Sequence, residues 1–112
     1  MKLITAIIQP YRLDAVREAL DGLGLTGATI SEVSGTGRQK GHIEIYRGAE
    51  YAVSSVPKIR FEILVADPSV DAAVDAIIEG ARTGAIGDGK IWITAVEDVI
   101  RVRTGERGDE AL

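Results

Sequence analysis

The chain has no cysteine, which removes disulfide scaffolds, thiolate zinc sites and cysteine nucleophiles together. Histidine is almost as scarce. His42 stands alone, and with no second His or Cys to share a metal it reads as a solvated loop residue rather than a ligand. Aromatic residues are 4% of the chain, with one Phe and one Trp, and the net charge is −4. A nucleic-acid surface built from basic patches and stacking rings is therefore not expected. No apolar run approaches the length of a membrane span, and the start MKLITAIIQP has neither a basic leader nor a cleavage site. The expectation is a compact cytoplasmic protein with no membrane insertion and no nucleic-acid partner.

What is present suits a globule. Hydrophobic residues are 46% and charged residues 27% of the 112. A chain of that size buries about 65% of its unfolded surface and holds a core without staples. Leu3 to Ile8 is nearly continuous apolar, as in a central strand covered on both faces. Lys58 to Val65 alternates, with Ile59, Phe61, Ile63 and Val65 on one face and Lys58, Arg60, Glu62 and Leu64 on the other. After Pro10, the apolar residues Leu13, Val16, Leu20 and Leu23 keep helical spacing until Gly22 and Gly24 break it. After Asp67-Pro68, read as a cap and first-turn pair, Val70, Val74, Ile77, Ile78 and Ala81 do the same, and Gly84 closes the helix. Further strands are expected at Ala28 to Val33 and Lys90 to Val96, with a short extended piece at Ile100 to Arg103.

The two helical segments also align: Leu13 to Leu20 matches Val70 to Ile77 at an offset of 57 residues. Short amphipathic helices look alike in any case, so the match alone does not prove a repeat. The order is βαββαβ either way, and right-handed crossovers put both helices on one face of a four-stranded sheet. That is an α+β, ferredoxin-like sandwich. Its uncovered face must carry either Ile4, Ala6 and Ile8 or Leu3, Thr5 and Ile7, both mostly apolar, so a homo-oligomer is expected.

Two segments fall outside this frame. Gly35 to Pro57 spans over twenty residues where a hairpin needs two to five. Its four glycines, two tyrosines, several charges and β-like HIEIY point to a functional loop rather than a linker. Second, Thr83 to Lys90 nearly repeats the P-loop spacing, with Gly84, four residues, then Gly89 and Lys90. The magnesium-binding hydroxyl is replaced by Ile91, and the loop leaves a helix to enter a strand, the reverse of a P-loop. Its glycines and Lys90 still suit an anion, and Arg101 and Arg103, two apart on an extended segment, would face it together as a triphosphate clamp. The alternative is a helix C-cap with solvated surface arginines.

The same segments carry a resemblance to a known family. Tyr46-Arg47-Gly48-Ala49-Glu50-Tyr51 and the stretch Thr83 through Ile93 match two signatures of the PII nitrogen-regulatory signal proteins. GTGRQKG at Gly35 to Gly41, Val56-Pro57-Lys58, and Arg101 through Gly108 support the match, which covers essentially the whole chain. The resemblance implies one PII-like domain over 1–112, with a T-loop at 36–56, a nucleotide-binding loop at 82–90 and a C-terminal loop at 101–108. It implies a homotrimer with ATP or ADP in each cleft between neighbours, and 2-oxoglutarate bound beside ATP through Mg²⁺. By matched position, Gly87, Asp88, Gly89, Lys90, Arg101 and Arg103 would hold the phosphates, with Gly35, Gly37 and Arg38 at the loop base. Thr29, Glu62 and Leu64 would surround the adenine and ribose. Gln39 would ligate the metal, with Gly41 and Lys58 completing the 2-oxoglutarate site. Tyr51 would accept a nucleotidyl group from a nucleotidylyltransferase. The T-loop would engage an ammonium transporter, with Arg47 near its tip, and nitrogen-assimilation enzymes or regulators. Gln9 departs from the family's usual basic residue and lowers the positive charge expected near 2-oxoglutarate.

Two other functions are weighed against a non-catalytic sensor. A nucleotide hydrolase or transferase lacks a general base, since Asp88 is the loop's sole carboxylate and no His is near. An RNA binder of the same fold lacks the aromatic pair such sheets use.

Overall fold

The computed structural model describes residues 1–36, 43–46, 49–52 and 55–112, with the two short inner stretches described as backbone. Among these residues the elements run β1 (Lys2–Ile8), α1 (Leu13–Asp21), β2 (Ala28–Gly35), β3 (Ile43–Tyr46), β4 (Ala49–Ala52), β5 (Val56–Val65), α2 (Val70–Ala81) and β6 (Lys90–Ala95). One antiparallel sheet has the order β2-β5-β1-β6, and β3 pairs with β4 in a separate ribbon. This is the ferredoxin-like βαββαβ architecture, with a hairpin inserted between the second and third strands of the main sheet.

Alternation along the two central strands decides the layers. Ile4, Ala6 and Ile8 of β1 and Ile59, Phe61, Ile63 and Val65 of β5 are buried beneath the helices. The helices meet them with Val16, Leu20, Ala73 and Ile77. Burying each of the larger side chains contributes roughly 1.5–3 kcal/mol. The helices approach so closely that a Cβ on Gly80 would lie 2.8 Å from the Cα of Val16. Arg12 Nε donates to the Gly80 carbonyl at 2.8 Å, satisfying a free acceptor near the end of α2.

The internal match extends beyond the helices. Each helix follows a short 3₁₀ turn, Pro10–Arg12 or Asp67–Ser69, and strand ends, turns and helix starts share the offset of 57 residues. Two helix-boundary expectations change. Asp67 does not cap α2; its carboxylate accepts the Met1 ammonium at 2.7 Å, and that amine holds it below the usual carboxylate range. Nor does Gly84 close the helix, because α2 stops at Ala81 and Arg82 is already extended.

The exposed sheet face belongs to Leu3, Thr5 and Ile7. Register puts Thr29, Glu62, Thr5 and Trp92 in one row across it, and Ser31, Arg60, Ile7 and Lys90 in the next. The central strand is apolar as expected, but its neighbours make the face a mixture. Thr5 is buried there and donates to Glu62 at 3.0 Å. Among the described residues both outer strands have unpaired edges, and Trp92 and Ile93 on β6 are nearly half exposed. Among the described residues, no helix is long and apolar enough to cross a membrane.

Candidate functional site

The turn between α2 and β6 is built around one aspartate. The carboxylate of Asp88 accepts the amides of Thr83 at 2.8 Å and Gly84 at 2.9 Å, and also the Thr83 hydroxyl. The Thr83 hydroxyl and amide, more than the nearby Lys58 charge, hold that carboxyl below its usual range. Gly84, Gly87 and Gly89 all have positive φ, the region that favours glycine. Gly89 is tightly placed as well, since a Cβ there would overlap the carbonyl oxygen of Ile7. With the amides of Thr83, Gly84 and Ala85 taken inside the turn, those of Ile86, Gly87, Asp88 and Gly89 have no acceptor among the described residues. Exposed Lys90 follows directly. Successive amides beside a cation are an arrangement that can receive an anion, while the Asp88 carboxylate is bonded within the turn to Thr83 and Gly84.

Side chains from just beyond β1 and from β5 grip the other side of the turn. Gln9 Nε2 donates to the Gly87 carbonyl at 2.9 Å, and Lys58 Nζ donates to the same oxygen at 2.5 Å. Lys58 lies opposite Val33, two residues into β5 from Val56, which pairs with Gly35 at the end of β2. The long loop therefore leaves the sheet beside the glycine turn. Gly35 sits there too, 3.7 Å from the Lys58 side chain by its would-be Cβ. The structure thus brings together Gly35, Lys58, Gly87, Asp88, Gly89 and Lys90. Thr29, Glu62 and Leu64 share the open sheet face, with Leu64 six positions along β5 from Lys58, about 20 Å by strand rise.

Arg101 and Arg103 are not brought to this turn within the chain. The expected extended segment is instead a tight turn: Gly105 N–H donates to the Arg101 carbonyl at 2.8 Å, and only Ile100 makes a bridge, to Arg107. Strand alternation therefore cannot align the two guanidinium groups. Arg101 lies 3.5 Å from Glu106 and donates to the Leu112 carbonyl at 3.1 Å. This turn follows the Ala95 end of β6, whereas the glycine turn precedes its Lys90 end.

Gly37, Arg38, Gln39 and Gly41 lie outside the described residues. Tyr51 is described as backbone only, in β4 opposite Glu44. In that ribbon Tyr46 pairs with Ala49, and Tyr51 lies two residues along β4 from Ala49. No group of three or more acidic or His side chains that could hold a metal occurs among the described residues. The residues missed from sequence are Thr83, as the anchor of the Asp88 clasp, and Gln9, as a donor to the turn. A hydroxyl and a carboxylate flanking a glycine turn was the available signal for the first; long-range pairing left none for the second.

The sequence model of the family described as Nitrogen regulatory protein P-II matches residues 1–106. Over all 112 residues, and over the full length of each relative, the chain is 57% identical to nitrogen regulatory protein P-II of Pasteurella multocida. It is equally close to the protein of that name from Rhizobium etli, again over both full lengths. Nitrogen regulatory protein P-II 1 of Escherichia coli K12 is 59% identical over the same span, with both chains covered completely. The chain therefore belongs to the nitrogen regulatory protein P-II family, whose members are regulators and not enzymes.

Proposed function

We propose that the protein is a cytoplasmic, homotrimeric signal protein, one domain over 1–112, that reads ATP or ADP together with 2-oxoglutarate. Through the loop at 36–56 it controls ammonium transporters and nitrogen-assimilation enzymes or regulators, and it meets a membrane through such a transporter. The observation that carries this reading is the glycine turn, with four amides that have no acceptor among the described residues, beside Lys90 and with Lys58 at the foot of the long loop. Nucleotide phosphates meet those amides, and their arrival is felt where the loop begins.

The adenine and ribose lie along Thr29, Glu62 and Leu64, and Arg38 joins the phosphates from the loop base. Lys58 pairs with the far carboxylate of 2-oxoglutarate, beside Gly41. With no acidic cluster among the described residues, Mg²⁺ would draw most of its oxygens from the ligands, with Gln39 as the protein donor. The placement of Arg101 and Arg103 supports the inter-subunit cleft. They follow the far end of a six-residue strand, about 20 Å from its start, so a neighbour supplies them to each turn. The β6 edge, unpaired among the described residues and carrying exposed Trp92 and Ile93, supports association. Tyr51 is the acceptor for nucleotidylation, which adds charge and bulk to the partner-facing loop.

Complementation tests the arrangement. Lys90→Ala and Arg103→Ala should each lose roughly 1.5–3 kcal/mol of ATP binding, about 10- to 150-fold in affinity. Mixed trimers of the two variants should regain one tight site each, because the intact Lys90 and Arg103 can then meet across a boundary. Sedimentation near three times 11.9 kDa accompanies that result. A monomer, or mixtures with no recovered site, would sink the shared cleft. Intact mass after treatment with a nucleotidylyltransferase should rise for wild type and stay unchanged for Tyr51→Phe.

A further inference from the structure

The carbonyl of Gly87 receives two side-chain donors from distant parts of the chain, Gln9 and Lys58. A carbonyl oxygen has two lone pairs, and here both are used. The two donors are unequal. Lys58 is buried, its charge rests on a neutral oxygen, and no carboxylate forms an ion pair with it among the described residues. A buried ammonium gains more from an anion than from a carbonyl. Any carboxylate ligand arriving at this end of the sheet therefore competes with Gly87 for Lys58. Gln9 is uncharged and does not follow that ligand.

We propose that Gln9 is a positioning residue for the glycine turn, holding the Gly87 carbonyl in place when an anion draws the Lys58 ammonium away. The proposal rests on the reading above for the identity of the anion and of the nucleotide, but not for the hydrogen-bond arrangement. The turn has little freedom to adapt by other means: Gly89 is pressed against Ile7, and Asp88 is committed to Thr83 and Gly84. With both donors gone, Gly87 would keep a partly buried carbonyl without a partner, which costs more than losing one of two bonds.

Amide hydrogen exchange on the full-length protein tests this at Thr83, Gly84 and Ala85, whose amides are bonded inside the turn. Lys58→Met stands in for a Lys58 recruited elsewhere. Gln9→Ala and Lys58→Met should each speed exchange by about threefold or less, and the double variant by tenfold or more, beyond the product of the single effects. Gln9→Lys in the Lys58→Met background restores the donor that the double variant lacks and should return protection to the level of Lys58→Met alone, which a packing role for Gln9 would not do. Unchanged exchange at Ile4 and Phe61 shows that the sheet remains folded. A double variant equal to the product of its singles, or no rescue by Gln9→Lys, overturns the proposal. If wild type fails to bind MgATP while the exchange pattern holds, the nucleotide reading falls and the role of Gln9 stands.

Discussion

The glycine turn and the C-terminal turn are built on the same device and differ in what surrounds it. Each has an aspartate that accepts backbone amides: Asp88 takes those of Thr83 and Gly84, and Asp98 takes those of Val99 and Gly108. Each contains glycines at positive φ. The glycine turn is then tied to the sheet by Gln9, Lys58 and the close approach of Gly89 to Ile7. The C-terminal turn is tied to itself, by Arg107 on Asp98 and Arg101 on Glu106, and Val102 is fully exposed. One turn is shaped by the body of the sheet; the other is a preformed arm whose arginines lie away from the glycine turn.

Glycine substitution gives the sharpest way to break this contrast. Gly89→Ala combines backbone strain with a collision against the Ile7 carbonyl and should cost about 3 kcal/mol or more. Gly105 has φ +73 but open space around it, so Gly105→Ala should cost only about 1–2 kcal/mol, the left-handed penalty alone. Urea unfolding at matched protein concentration reads both; equal losses would mean the two turns are equally free of the body.

Acid should affect the glycine turn through Asp88. Its folded-state pKa lies below 3.8, so the carboxylate's contribution is present above that value and is lost as pH falls through the lowered folded pKa. Thr83→Ala removes the largest cause and should raise the Asp88 pKa toward 3.8, followed by the carboxyl carbon shift in an NMR titration. A pKa that does not move would transfer the clasp to the backbone amides.

The smallest effect belongs to the C-terminal arm. The Arg101–Glu106 pair is half exposed, so Glu106→Gln should cost about 0.2–1 kcal/mol and less at high salt. A larger or salt-independent loss would show that this arm is held more firmly than its own contacts provide.

Local periodicity made much of the architecture readable. Alternation from Ile59 to Val65 marked the buried face of β5, and helical spacing of Val16 and Leu20 marked the buried stripe of α1. The glycine spacing from Gly84 to Gly89 marked a tight turn, because positive φ is a property of single residues. These features are set within a few residues and need no partner strand. Boundaries that depended on a competing contact were misread: Asp67 was a plausible cap until the Met1 ammonium took its carboxylate. The spacing of Arg101 and Arg103 suggested alternation, but a glycine turn closed by Gly105 removed it.

The sequence by itself determined the two β-α units, their common offset, the long loop and the chemistry of the glycine turn, since each follows from short-range pattern and residue type. Tertiary structure alone decided which face of β1 stays open, which end of β6 each turn occupies, and that Gln9 and Lys58 share one carbonyl 78 and 29 residues away. Those outcomes depend on strand register and packing between distant segments, where the energy of one pairing is set against all others and no local pattern records the result.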